Sequence, residues 1–101
     1  MLPHVIRFNV EATAPLVAPA AEAMGLASAG MSVQAVTEAV ARRVDELVRD
    51  MRLPKRLREI GVGDEQLPEL ARTAFASRTV QNNPKPIGDV GQIESLLRRA
   101  W

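Results

Sequence analysis

The chain has 101 residues, of which 47% are apolar, and its 13 Lys and Arg against 12 Asp and Glu leave a net charge of +1. This balance lacks the basic excess that neutralises nucleic-acid phosphates, and no segment approaches the ~20 apolar residues of a membrane span, so we expect neither partner. The absence of cysteine excludes disulfides, thiolate nucleophiles and cysteine-based zinc sites, and favours a reducing compartment, the cytoplasm.

Three helices are predicted in the first half of the chain. Residues 3–10 have helical apolar spacing but open without an N-cap, which indicates a lost upstream segment. An alanine-rich run predicts a helix over residues 15–24 that stops at Gly25, although Pro19 should kink it or delay its start. Ser32 is the N-cap of a third helix, residues 32–51, in which Glu38 and Arg42 form an i,i+4 pair. Its apolar stripe is Val33, Val36, Val40, Val44, Leu47, Val48 and Met51.

Shorter elements follow in the second half. Residues 55–60 predict a short helix ended by Gly61, and residues 68–77 predict a helix with Pro68 in its first turn. The prolines within residues 82–86 predict an irregular loop. A last helix over residues 89–100 has Asp89 as N-cap and Gln92 as the partner in a capping box.

These elements predict an all-α fold. Only 3% of the residues are aromatic, so the core is built mainly from Ala, Val, Leu, Ile and Met, a mixture that favours helices over strands. No strand-like alternation or repeat is evident. We expect one bundle-like helical domain over residues 1–101.

Three separated stretches resemble one enzyme family. They are LPHVIRFN at residues 2–9, LPKRLREIGV at residues 53–62 and NPKP at residues 83–86, with LPELA at residues 67–71 between them. In this order and spacing they resemble the closing region of the iron-containing alcohol dehydrogenases, over essentially the whole chain. Two departures are Pro19, in a helix, and Lys85, where the family usually has Arg.

The resemblance implies a C-terminal portion of the dehydroquinate synthase-like helical domain. In the family, an α/β domain holds NAD or NADP, and one Asp and three His upstream of this region hold Fe(II) or Zn(II). None of these ligands, nor the glycine-rich pyrophosphate loop, has a counterpart in this chain. We therefore expect no catalytic, cofactor-binding or metal-binding residue here, and interpret the chain as a fragment, roughly the last quarter of such an enzyme.

Few residues are candidates for a site. His4 is the only histidine, and without a second histidine or a carboxylate cluster it is interpreted as a polar position on the first helix. A helix-turn-helix interpretation of residues 55–75 fails because Asp64 and Glu65 would open the recognition helix and repel phosphates. Thr79 lies four residues before Asn83, where the resemblance implies a Cys or another small residue facing the substrate. The alternative is an ordinary loop threonine.

Two functions remain open at this stage. In the first, the chain belongs to an intact enzyme and walls the substrate side of a hydride transfer between NAD(P)H and an alcohol or aldehyde, with the metal as Lewis acid. In the second, it is a free-standing, non-catalytic helical interaction or oligomerisation module. Either way, apolar helix faces are expected to meet a missing N-terminal half or a second copy, with contact centred on Val5, Ile6 and Phe8.

Overall fold

The chain is entirely helical, as its sequence predicts. The computed structural model describes residues 1–101 and contains no strand. Its α-helices are α1 (Leu2–Phe8), α2 (Val10–Ala23), α3 (Val33–Asp50), α4 (Leu67–Phe75), α5 (Arg78–Gln81) and α6 (Val90–Ala100), and short 3-10 helices span Leu57–Ile60 and Asp64–Gln66. None of these helices has the length and apolar character needed to cross a membrane.

The helices fall into two compact units. The first unit is Leu2–Leu53 and the second is Pro54–Trp101. That the two units together form a single domain over residues 1–101 stays a prediction.

In the first unit, α3 packs against both α1 and α2. Its buried cluster consists of Val17, Ala21, Val36 and Val40, against which Ile6, Met24 and Leu26 pack. The helix α3 begins where the sequence predicts, because the Ser32 side chain accepts a hydrogen bond from the Ala35 backbone N–H at 3.1 Å. The first unit therefore has a small aliphatic core on one side of α3.

The apolar stripe of α3 is buried over only part of its length. The buried residues of this helix are Val36, Thr37, Val40 and Ala41. Further along, Leu47 and Met51 retain 39% and 59% of their surface exposed. Because the sequence predicts a stripe buried throughout, this exposure is a correction: Val33 at its start is also 37% exposed, and the buried residues of α3 are confined to the stretch from Val36 to Ala41.

The helix α2 begins five residues earlier than predicted. It starts at Val10, so Pro15 and Pro19 both lie inside it. Neither proline nitrogen can donate to the carbonyl four residues earlier, yet both rings are exposed and meet no packed neighbour that would break the helix. The predicted stop at Gly25 is confirmed, since Gly25 has φ +73° and the backbone N–H of Leu26 donates to the Ala21 carbonyl at 2.9 Å.

In the second unit, α4 packs against α6. The buried apolar residues are Leu67, Ala71, Ile93, Leu96 and Ala100. The Asp89 side chain accepts a hydrogen bond from the Gln92 backbone N–H at 3.1 Å, and Gln92 in turn accepts one from the Gly88 backbone N–H at 2.9 Å. The predicted N-cap Asp89 is therefore confirmed, whereas the Gln92 side chain bonds the N–H of Gly88 and not that of Asp89, so the predicted capping box does not form.

Long-range polar contacts tie the ends of the second unit together. The Trp101 indole N–H donates to the Val62 carbonyl at 2.8 Å, and the Arg58 guanidinium lies 5.6 Å from the Trp101 ring centroid. Arg98 on α6 donates to the Asp64 carboxylate at 2.7 Å. These contacts attach the two 3-10 helices, and Val62 between them, to the C-terminal end of the chain.

Two local differences from the predicted elements lie in this unit. The helix α4 ends at Phe75 rather than at residue 77, and a separate four-residue helix, α5, follows Ser77. The predicted short helix at residues 55–60 is a 3-10 helix that begins at Leu57. Its start is set by the Glu59 carboxylate, which accepts hydrogen bonds from the backbone N–H groups of Lys55 and Arg56 and is thereby held at a lowered pKa.

Candidate functional site

Thr79, the candidate substrate-pocket residue, is exposed on α5. It lies on a short helix and not in the loop that the alternative interpretation assumes. Hydrogen bonds within the second unit hold this region. The Gln81 amide donates to the Phe75 carbonyl at 2.6 Å, and the Asn83 amide donates to the Lys85 carbonyl at 2.7 Å. The segment that carries Thr79 is thus anchored on its C-terminal side, while the Thr79 side chain faces outward.

The residues of this chain do not assemble a metal centre. No group of three or more His, Cys, Asp and Glu side chains lies close enough to hold a metal ion. His4, half-buried on α1, is not accompanied by such a group. The Asp64 carboxylate is engaged by Arg98 at 2.7 Å and its side chain is 57% exposed, so it also lacks the apolar surroundings of a catalytic acid or base.

A pocket of about 200 Å³ lies on the first unit. It is lined by Arg7, Val10, Gln34, Thr37 and Glu38. Arg7 on α1 donates two hydrogen bonds of 2.7 Å to the Glu38 carboxylate on α3. These bonds, more than the charge of Arg42, hold the pKa of Glu38 below its usual range and raise the pKa of Arg7. Glu38 therefore pairs with Arg7 of α1, whereas the sequence predicts a pair with Arg42 of its own helix.

Thr37 is the unusual member of this pocket. Its side chain is 3% exposed, and its hydroxyl has no hydrogen-bond partner within the chain. A buried hydroxyl of this kind costs about 1–3 kcal/mol relative to one that is bonded. The Arg7–Glu38 pair nearby is exposed and mutually satisfied. The pocket therefore combines a structural ion pair with one unsatisfied group, and it contains no nucleophile activated by a base.

An apolar groove of about 270 Å³ also lies on the first unit, between α1 and α2. We call it the α1–α2 groove; its lining residues carry no charge and are Leu2, Val5, Ile6, Asn9, Thr13, Leu16, Val17, Ala20 and Val40. Of the three residues expected to centre an exposed contact, Val5 and Ile6 line the groove, but Val5, Ile6 and Phe8 are all half-buried. The most exposed large apolar side chain of the lining is Leu16, which is 68% exposed.

The described residues form an all-helical chain of two compact units. The C-terminal part of the Fe-containing alcohol dehydrogenase family matches residues 1–101. This chain belongs to that family. Its helical architecture, with no strands, is the helical C-terminal architecture of these enzymes.

Individual relatives agree with this assignment. Lactaldehyde reductase of Escherichia coli (strain K12) is 34% identical over all 101 residues, and 1,3-propanediol dehydrogenase of Citrobacter freundii is 31% identical over the same length. A crystal structure of 1,3-propanediol oxidoreductase, 31% identical, superimposes on 99% of the chain with a TM-score of 0.90. The chain spans 26% of the length of each of these proteins.

Proposed function

We propose that this chain acts within an intact family enzyme, where it walls the substrate side of a metal-assisted, NAD(P)-dependent oxidoreduction of an alcohol or aldehyde. The observation that supports this proposal most directly is that the family match covers residues 1–101. On this proposal the remainder of such an enzyme holds the metal, Fe(II) or Zn(II), and the nicotinamide. For the metal, this is supported by the lack of any group of three or more His, Cys, Asp and Glu side chains in this chain that could hold an ion. On this proposal the chain alone is inactive, and the intact enzyme is cytoplasmic.

The residue that we place at the substrate is Thr79. Its position four residues before Asn83 supports the proposal, as does its outward orientation on the anchored helix α5. A threonine contributes a small side chain with one hydroxyl that can donate or accept a hydrogen bond. In the intact enzyme we expect this side chain to limit the size of the substrate and not to take part in proton transfer.

The partner in this proposal is the N-terminal remainder of such an enzyme. Large apolar side chains are left exposed on the chain, including Leu47 and Met51 on α3 and Ile60 in the second unit. Exposed apolar surface of this kind is typical of contacts with another protein segment. The same surface also supports the alternative function, a free-standing interaction module, so the two require an experiment that separates them.

A chimera provides that experiment. The matched C-terminal quarter of E. coli lactaldehyde reductase is replaced by residues 1–101, and lactaldehyde reduction is measured with NADH and with NADPH. We expect activity in the chimera and none in the truncated reductase or in this chain alone. A chimera that is folded and contains metal but is inactive would favour the free-standing module.

The role of Thr79 is tested in the same chimera. Thr79→Leu adds bulk at the substrate wall, so we expect the KM for lactaldehyde to rise by about tenfold or more while metal content stays constant. The matched control is Thr73→Leu, since Thr73 is also an exposed helical threonine of the second unit. Equal effects of both substitutions on KM would remove Thr79 from the pocket.

A further inference from the structure

A side chain closes the corner between α4 and α5. The helix α4 ends at Phe75, and two residues separate it from α5. From the last position of α5, the Gln81 side-chain amide donates a hydrogen bond of 2.6 Å back to the Phe75 carbonyl. The last carbonyls of a helix lack partners within that helix, and Gln81 supplies one for α4. This bond spans the corner and ties the far end of α5 to the end of α4.

The helix α5 is too short to hold its orientation without such attachments. It has four residues, and a single turn is not stable by itself because helix nucleation is unfavourable. Its own backbone bonds, from the N–H groups of Val80 and Gln81 to the Ser77 carbonyl, close the turn but do not join it to α4. The Ser77 N–H donates to the Ala74 carbonyl of α4 at 3.0 Å, which fixes the start of α5. The Gln81 side chain fixes its end.

Thr79 lies between these two points of attachment. It is exposed on α5, two residues before Gln81. Because a single turn moves as a unit, the bond that fixes Gln81 also fixes the direction of the Thr79 side chain. We infer that Gln81 is a positioning residue, which holds α5 so that Thr79 stands at the substrate wall and limits substrate size. The inference rests on the proposed function and deepens it, since it names the residue through which the wall is held.

The strength of one hydrogen bond sets the size of the effect. A neutral bond of this kind shifts an equilibrium by about fivefold. Without it, α5 should leave the observed orientation more often, and the wall should yield to a bulky group. Gln81 bonds the Phe75 backbone and not the substrate, so its loss should change KM and size selectivity and leave kcat nearly unchanged.

A double substitution in the lactaldehyde reductase chimera tests the inference. Gln81→Met removes the donor and keeps a side chain of similar length. Combined with Thr79→Leu, it should lower the raised KM for lactaldehyde by about threefold to fivefold, because the released helix lets the leucine move away. A substitution that merely destabilised the fold would not restore substrate binding. Gln81→Lys, which keeps a donor, should leave that KM high, as should the matched control Gln34→Met, at an exposed glutamine of the first unit.

Amide hydrogen exchange of the 101-residue chain tests the corner without any activity. The N–H groups of Val80, Gln81 and Asn82 donate within this turn, and Gln81→Met should speed their exchange by about fivefold while the amides of α6 are unchanged. Unchanged exchange in α5, or a Thr79→Leu KM that Gln81→Met does not lower, would overturn the inference and leave the proposed function standing. An inactive chimera, or an unchanged KM in Thr79→Leu, would refute the proposed function and the role of Gln81 with it.

Discussion

The unsatisfied hydroxyl of Thr37 leads to a quantitative prediction: Thr37→Val should stabilise the chain. The side chain is 3% exposed in the pocket that Arg7, Val10 and Gln34 also line, and its hydroxyl has no hydrogen-bond partner. Valine has nearly the same shape, the same branching at Cβ and a similar helix propensity, so the substitution removes mainly the polar group. Relief of a buried, unbonded hydroxyl should raise the free energy of unfolding by about 1 kcal/mol, at the lower end of its estimated cost.

For a chain of this size, a gain of about 1 kcal/mol raises Tm by about 4–8 °C. Circular dichroism melts and urea titrations at one fixed protein concentration measure both quantities. The matched control is Thr13→Val, because the Thr13 hydroxyl donates to the Asn9 carbonyl at 2.9 Å inside α2. That variant should lose about 0.5–1.5 kcal/mol. If Thr37→Val destabilises the chain as Thr13→Val does, the hydroxyl has a partner and the reasoning is wrong.

Two further predictions concern contacts described above, and a third concerns ligand binding. Trp101→Phe removes the indole hydrogen bond to Val62 and should lower the free energy of unfolding by about 1 kcal/mol, measured by circular dichroism. Arg7 lowers the pKa of Glu38 from 4.5, so this pair stabilises the fold above about pH 4.5 and loses its contribution as pH falls through the lowered pKa. Glu38→Gln should therefore flatten that part of the acid unfolding curve. An unchanged curve would contradict the stabilising role of the pair. Calorimetric titration of the chain with Fe(II), Zn(II), NADH and NADPH should show no specific binding, and a micromolar dissociation constant for any of them would refute this expectation.

The sequence predicts best those elements whose determinants are local. The starts of α3 and α6 follow from Ser32 and Asp89, each of which caps a backbone N–H three residues ahead. Gly25 and Gly61 mark helix ends because each adopts positive φ. Such signals act within one turn of helix, so no knowledge of the tertiary structure is needed to interpret them.

The prolines of α2 show where local rules mislead. A proline inside a helix removes a hydrogen bond, so Pro19 was expected to kink α2 or delay its start, whereas the helix begins at Val10, five residues before the predicted start. The cost is tolerated because both proline rings point outward and α2 is held by its packing on α3. The short helix α5 was not predicted, because four residues are too few to show a helical apolar stripe.

Contacts between distant residues could not be predicted from periodicity. Glu38 bonds Arg7, 31 positions away, instead of relying on Arg42 on its own helix. For the candidate site, the resemblance identified Thr79, but its exposure on a helix became evident only in the structure. The α1–α2 groove was anticipated only through Val5 and Ile6. Ile6 lines this groove and also packs against the buried cluster of the first unit, so its burial reflects the core as well as the groove.

The position of Trp101 makes the second unit separately observable. The chain contains no tyrosine and this one tryptophan, whose indole bonds Val62 within Pro54–Trp101. Intrinsic fluorescence therefore reports the melting of that half alone, while far-ultraviolet circular dichroism reports the helices of both. Coincident transitions would mean that the two halves unfold cooperatively, as a single domain does, and a fluorescence midpoint displaced from the dichroism midpoint would mean that they unfold independently.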